Sequence, residues 1–199
     1  MHKTKKALID AAISLMDGNP AADITIQQVL DVSKITSGSL YYHFNDFQDL
    51  IEHAHVVMYG DFADDIALRL SAIVGKSENA TETFEKLSPA MDDRHIPDYS
   101  SLRSARAWIA GQATLRPSLG EKLANEQRRV TQEISEIIAE AQSRGIAQTG
   151  FDPYVIAVFI EAYTMGRIVD DVAGSPMDEH EWTRFLKHVV TRSILKFED

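Results

Sequence analysis

The chain has 199 residues, 44% of them hydrophobic and 25% charged, enough apolar content to bury a core without disulfide or metal staples. Its formal net charge of −10 opposes binding to nucleic acid or an anionic membrane over the whole surface, so any such contact must be local. There is no cysteine, which excludes disulfides, thiolate metal sites and cysteine nucleophiles, and the expected setting is cytoplasmic.

The basic opening Lys3, Lys5 and Lys6 precedes too short an apolar run for a signal peptide. The densest apolar run, 154–160, falls well short of a membrane span, so no membrane partner is expected. Nearly every segment repeats its apolar residues at helical spacing, which predicts an all-α fold of about nine helices.

A first helix is expected over 4–16, with Leu8, Ala11, Ala12 and Leu15 on one face and Asp17-Gly18-Asn19-Pro20 as its stop. A short second helix follows, with Ile26, Val29 and Leu30 inward and Thr25 or Asp23 as its cap. After the turn Val32-Ser33-Lys34, a third helix is expected from Thr36, held inward by Ile35, Leu40 and Phe44. Asn45 and Asp46 should cap a long fourth helix reaching Val74, with Gln48 closing a capping box on Asn45 and Gly60 as a candidate kink. Further helices are expected over 80–92, 98–113, 119–144 and 153–172. Gly145 should cap one of these, and Asp152-Pro153 should start another. The last begins near Asp178, with Glu181 completing a capping box. This divides the chain into a helix-turn-helix head, 1–48, and a larger body, 49–199.

The run Thr25-Ile26-Gln27-Gln28-Val29, then Ser33-Lys34-Ile35-Thr36-Ser37-Gly38-Ser39-Leu40-Tyr41-Tyr42-His43-Phe44, then Leu50, resembles the signature of TetR-type transcriptional regulators. The resemblance implies a three-helix DNA-binding head and a helical body that dimerises and holds a small molecule. Physically, a helix entering the major groove needs small or planar outer side chains near its N-terminus. Thr36, Ser37, Gly38 and Ser39 meet that need, and Tyr41, Tyr42 and His43 follow on the outside. Their rings can contact thymine methyls, and their polar atoms can reach phosphate. The alternative for one of the two tyrosines is packing against a neighbouring helix. Thr25, Gln27, Lys34, Lys5 and Lys6 complete the candidate DNA contacts.

Three departures from the family pattern bear on affinity. Lys34 stands where the family usually has glycine, Gln27 where it often has arginine, and Phe47 where it usually has lysine. Over 1–50, Lys3, Lys5, Lys6 and Lys34 face Asp10, Asp17, Asp23, Asp31, Asp46 and Asp49, a net charge of −2. With so few cations the head should bind DNA weakly and with a shallow salt dependence.

In the body, 154–172 is apolar nearly all round, and the last helix carries an apolar stripe. Two such helices from each chain would make a two-fold four-helix interface, with Tyr154, Val158, Met165, Trp182, Phe185 and Val189 at its centre. A monomer that buries both helices internally is the alternative. Candidate effector contacts are His55, Met58, Tyr59, Phe62, Arg103, Trp108, Glu161 and Tyr163, a mix of aromatic and polar groups suited to a pocket.

No metal, cofactor or enzyme is expected. His53 and His55 point to different sides of a helix, His180 and His188 lie two turns apart, and no nucleophile has a base at hand. The expected function is a homodimeric regulator, most simply a repressor, that binds a palindromic operator and is released by a small molecule. A dimeric small-molecule or protein-binding module of the same fold with weak DNA affinity is the alternative.

Overall fold

The computed structural model describes residues 2–16, 21–91, 99–174 and 177–197, the side chains of Phe62, Ala90 and Tyr99 apart. Among the described residues every regular element is helical, in two compact units: 1–60 with 109–124, and 61–108 with 125–199. The first unit takes in the expected head and adds residues on both sides of Leu115. The expected stop at Asp17–Pro20, the segment 92–98 and the candidate ligand side chain of Phe62 lie outside the described residues.

The first unit begins with α1, Lys3–Met16, whose Leu8, Ile9, Ala11 and Ala12 are buried. A 3-10 turn, Ala21–Asp23, leads to α2, Ile26–Ser33. Of the two candidate caps, Thr25 is the one used. Its Oγ1 accepts from the Gln28 N–H at 3.4 Å, and the Thr25 N–H donates to Gln28 Oε1 at 2.8 Å, a reciprocal box that satisfies two otherwise orphaned donors.

The turn after α2 rests on Lys34, whose φ of 58° is left-handed and whose N–H donates to the Leu30 carbonyl at 2.9 Å. A Cβ in that region crowds the carbonyl that follows, which is why glycine is the usual occupant. α3, Ser37–His43, starts one residue later than expected because Thr36 is its cap, accepting from the Ser39 N–H.

The expected box on Asn45 and Gln48 gives way to one shifted by a residue. Asp46 Oδ1 accepts from the Asp49 N–H at 2.7 Å, and the Asp49 carboxylate accepts from the Asn45 N–H at 3.0 Å. An aspartate carboxylate outcompetes the neutral asparagine amide for a helix N-terminus, and α4, Phe47–Gly75, follows without a break at Gly60. Leu40, Phe44, Leu50, Ile51 and Ala54 join the α1 side chains and Val29 in one buried cluster.

In the same unit, α6, Tyr99–Leu115, and α7, Pro117–Ser143, meet at a short turn. Lys122 Nζ reaches Asp49 at 2.6 Å and Glu52 at 2.7 Å, tying the start of α7 to α4. A Cβ on Gly120 would lie 2.9 Å from the Ala113 carbonyl oxygen, so only glycine lets the two helices come this close.

In the second unit lie α5, Ala80–Leu87, a 3-10 turn, Ser88–Met91, α8, Pro153–Gly166, one-turn α9, Ile168–Asp171, and α10, Glu179–Ser193. Asp152 caps α8 above Pro153, and Gly145, at φ 73°, closes α7. Two apolar clusters hold this unit. One includes Ala63, Val130, Ile134 and Ile156, the other Val74, Ala141, Ile146 and Leu195.

Two expectations fail here. The helix expected over 153–172 is interrupted at Arg167, between α8 and α9, where the Arg167 guanidinium pairs with the Glu179 carboxylate. The box expected at Glu181 stays open. Asp178 accepts from the His180 and Glu181 N–H groups, but the Glu181 carboxylate pairs with Arg184 instead of returning to the cap.

Lys34→Gly should raise the urea midpoint, by about 0.5 kcal/mol once the entropy of glycine is set against the relieved strain; a lower midpoint would mean that the lysine side chain holds the turn. Gly120→Ala should destabilise by about 1–3 kcal/mol through overpacking on backbone, and an unchanged midpoint would show that α6 and α7 separate freely.

Candidate nucleic-acid interface and apolar cavity

Burial of Leu40 on α3 and of its C-cap Phe44, four residues on, turns the intervening residues outward. Tyr41 is 57% exposed and Tyr42 85% exposed, so most of the surface of both residues lies in solvent. Ser37 and Gly38 are open to solvent beside them, with Thr36 at the cap and Ser39 half-buried. His43 is half-buried, its ring 4.9 Å from that of His2 and 5.0 Å from that of Tyr42. The α3 surface is therefore small and polar at its N-terminus and aromatic one turn on, a profile suited to groove contact.

The expected cations are less available than their number suggests. Lys6 pairs with Asp10 at 2.7 Å on the same face of α1. Lys5 turns inward, its Nζ 5.1 Å from the Phe44 ring centroid and 3.1 Å from His53 Nε2. Gln27 donates to Asp31, while Thr25 and Lys34 are exposed. Lys3 and Lys34 are thus the cations of the head best placed for phosphate.

The candidate effector residues separate into two groups. In the first unit, Tyr59 is buried with Ile109 and Leu123, and Met58 packs on the same cluster. His55 is 4% exposed. Burial, then the nearby Arg116 guanidinium, pushes its imidazole below the ordinary value, against the opposing pull of Glu52.

In the second unit, Arg103 and Tyr163 line a cavity of about 140 Å³ whose wall is mainly aliphatic, with Ile66, Leu70, Ile137 and Ile138 among its residues. Arg103 holds Asp171 through two hydrogen bonds of 2.7 Å, from Nε and from one terminal nitrogen. These bonds first, and the Arg103 charge after them, keep the Asp171 carboxyl below its usual range despite partial burial. Glu161 is not in the wall; it accepts from Thr131 at 2.6 Å and Gln127 at 2.8 Å. Trp108 is half exposed.

Arg69, Arg167 and Trp182 also line the cavity. The first two were not among the expected residues, since nothing local in sequence marks an arginine as facing inward. Trp182 was assigned to the dimer face and stands in the cavity wall, with the Arg167 guanidinium 5.6 Å from its ring centroid. Of the remaining dimer candidates, Tyr154, Val158 and Phe185 are exposed, and Met165 and Val189 are half-buried. Among the described residues no group of three or more histidines and carboxylates is arranged to hold a metal ion, and no helix is long and apolar enough to cross a membrane.

The buried, neutral His55 makes stability depend on pH. Its folded value lies below its unfolded one, so the unfolded chain takes up the proton first and stability falls as pH drops below about 6.5. His55→Gln should flatten this dependence, read as urea midpoints at pH 8 and pH 5.5; a variant as pH-sensitive as the parent would remove His55 from the account.

No family model and no curated protein matches the sequence. Solved structures match over nearly its whole length. A TetR-family transcriptional regulator from Mesorhizobium loti superposes with a TM-score of 0.69 at 16% identity, covering 95% of this chain and 94% of that one. Another from Rhodococcus sp. gives 0.67 at 21% identity over 96% and 98% of the two chains. A transcriptional regulator from Saccharomonospora viridis, solved in complex with choline, gives 0.61 at 17% identity over 98% and 99%. With superpositions of this quality covering nearly the whole of both chains, the chain has the fold of the TetR-family transcriptional regulators.

Proposed function

We propose that the chain is a homodimeric, effector-responsive transcriptional regulator, a cytoplasmic repressor that binds a palindromic operator through α2 and α3 and is released by a small molecule. The observation that carries this reading is the outward display of Tyr41 and Tyr42. Two large residues this exposed contribute little burial to the core, and an exposed aromatic pair beside a small polar helix start suits a DNA groove. Thr25, Gln27, Lys34, Thr36, Ser37, Gly38 and Ser39 surround the rings as phosphate and base contacts, within a DNA-binding domain of 1–48.

The body, 49–199, dimerises and holds the effector. Tyr154, Val155, Val158 and Phe159 on α8 and Phe185 on α10 leave 40–60% of their surfaces in solvent. That contiguous apolar face supports a two-fold interface. A dimer sets its two heads on half-sites about one turn, ~34 Å, apart. The choline bound to the S. viridis neighbour supports a small-molecule role for the cavity in the second unit. Helices α4, α6 and α7 each run from one unit into the other, a continuous covalent route by which occupancy can be felt at the head. The reading leaves no part for enzyme chemistry.

One observation favours the second reading, a dimeric binding module with weak DNA affinity. The head is acidic, and two of its four lysines are engaged with Asp10 and Phe44. Two available cations per head, four per dimer, correspond to a salt slope of about −4.

A gel-shift titration against the DNA beside its own gene separates the two readings: a retarded band with that shallow slope supports the regulator, and no band even at low salt overturns it. Tyr41→Ala should weaken specific binding about tenfold and leave the protein sedimenting at twice the 22.2 kDa chain mass. Undiminished affinity would show that the ring is idle, and sedimentation at monomer mass would remove the α8 and α10 interface.

A further inference from the structure

We propose that the cavity of the second unit takes a small organic carboxylate with an apolar body of about six carbons, and rejects organic cations of the choline type. This inference rests on reading that cavity as the effector site.

The first argument is the sign of the wall. Among the described lining residues the charged ones are all arginines, Arg69, Arg103 and Arg167. Their carboxylate partners Asp65, Asp171 and Glu179 are not part of the lining. The Arg103 and Arg167 side chains are each only 5% exposed. A guanidinium has five N–H donors and no acceptor, and its fork matches a carboxylate. An incoming carboxylate can therefore share or take over the Arg103 fork that Asp171 now occupies. A buried ion pair gains little over apolar residues of the same volume, so two such pairs in an otherwise mainly apolar cavity wall are better explained by recognition than by stability.

The second argument concerns cations. Phe159, Tyr163 and Trp182 all line the cavity, and three aromatics could in principle cage a quaternary ammonium. Here the Trp182 ring already carries the Arg167 guanidinium, so a cation entering the cage meets a like charge at short range and low dielectric.

Size gives the third. A volume of about 140 Å³ is close to the ~150 Å³ of an apolar cavity known to accept benzene, which sets the body at about six carbons.

The test uses the full chain without DNA, titrated calorimetrically with hexanoate, hexan-1-ol and choline chloride, with thermal unfolding alongside. Hexanoate should bind and raise the unfolding midpoint, hexan-1-ol should bind at least about tenfold more weakly, and choline should not bind. The double variant Arg103→Gln with Asp171→Asn removes both charges together. It should lose about tenfold in hexanoate affinity while its hexan-1-ol affinity stays put. If that variant does not fold, Arg167→Lys, which keeps the charge and loses the fork, should show the same selective loss. Choline binding as tightly as hexanoate, hexan-1-ol matching hexanoate, or no hexanoate binding at all would each overturn the inference. Hexanoate that binds without altering the gel-shift band would instead overturn the effector role and leave the ligand class standing. A retarded band with no hexanoate binding would do the reverse.

Discussion

The burial of Leu40 and Phe44 is the constraint on which the head depends. Leu40 lies within a seven-residue helix and Phe44 is its extended C-cap, four positions on, and both are at most 2% exposed against Leu8, Val29 and Leu50. A helix this short has no stability of its own in water. It exists because these two side chains are taken up by the cluster, and their burial sets its rotation. Rotation then decides everything on the opposite face, where Tyr41 and Tyr42 cannot do other than face water. The caps at Thr25 and Thr36 and the turn at Lys34 fix where each short helix begins; the apolar pair fixes how α3 is turned.

How much of this was legible in the sequence follows from the range of the forces involved. Helical periodicity and the Thr25 cap depend on residues three or four apart, and both were readable. So was the outward display of the tyrosines, although packing of one ring remained open until its exposure was seen. At the start of α4 the capping pair was placed on Asn45 and Gln48, because Asn45 and Asp46 are adjacent candidates and only the folded backbone shows which side-chain oxygen the N–H groups meet. The ion pairs of the second unit were invisible for a different reason. Arg167 finds Glu179 twelve residues on, and Arg103 finds Asp171 across 68 residues. Long-range ion pairs leave no local signature. Trp182 was placed on the right helix and given only one of its surfaces, since a large indole between two faces of α10 can serve the cavity and the exposed stripe together.

The two units bury charge in different ways. In the first, Lys122 is shared between Asp49 and Glu52, with Ser118 donating to Glu52, so a single ammonium compensates two carboxylates at the junction of α4 and α7. In the second, the buried Arg103 and Arg167 guanidinium groups pair with Asp171 and Glu179, and both arginines line the cavity. The former arrangement joins helices; the latter sets paired guanidinium groups in the wall of a cavity.

Lys34 carries a consequence for how the molecule can change. Its backbone conformation favours glycine, while its exposed ammonium is one of the few positive charges the acidic head can offer to a polyanion. Under the proposed DNA-binding role, stability of the turn and attraction to DNA therefore pull on this one position in opposite directions. Glycine there would relieve the backbone and cost the head a cation, whereas lysine keeps the cation together with the strain.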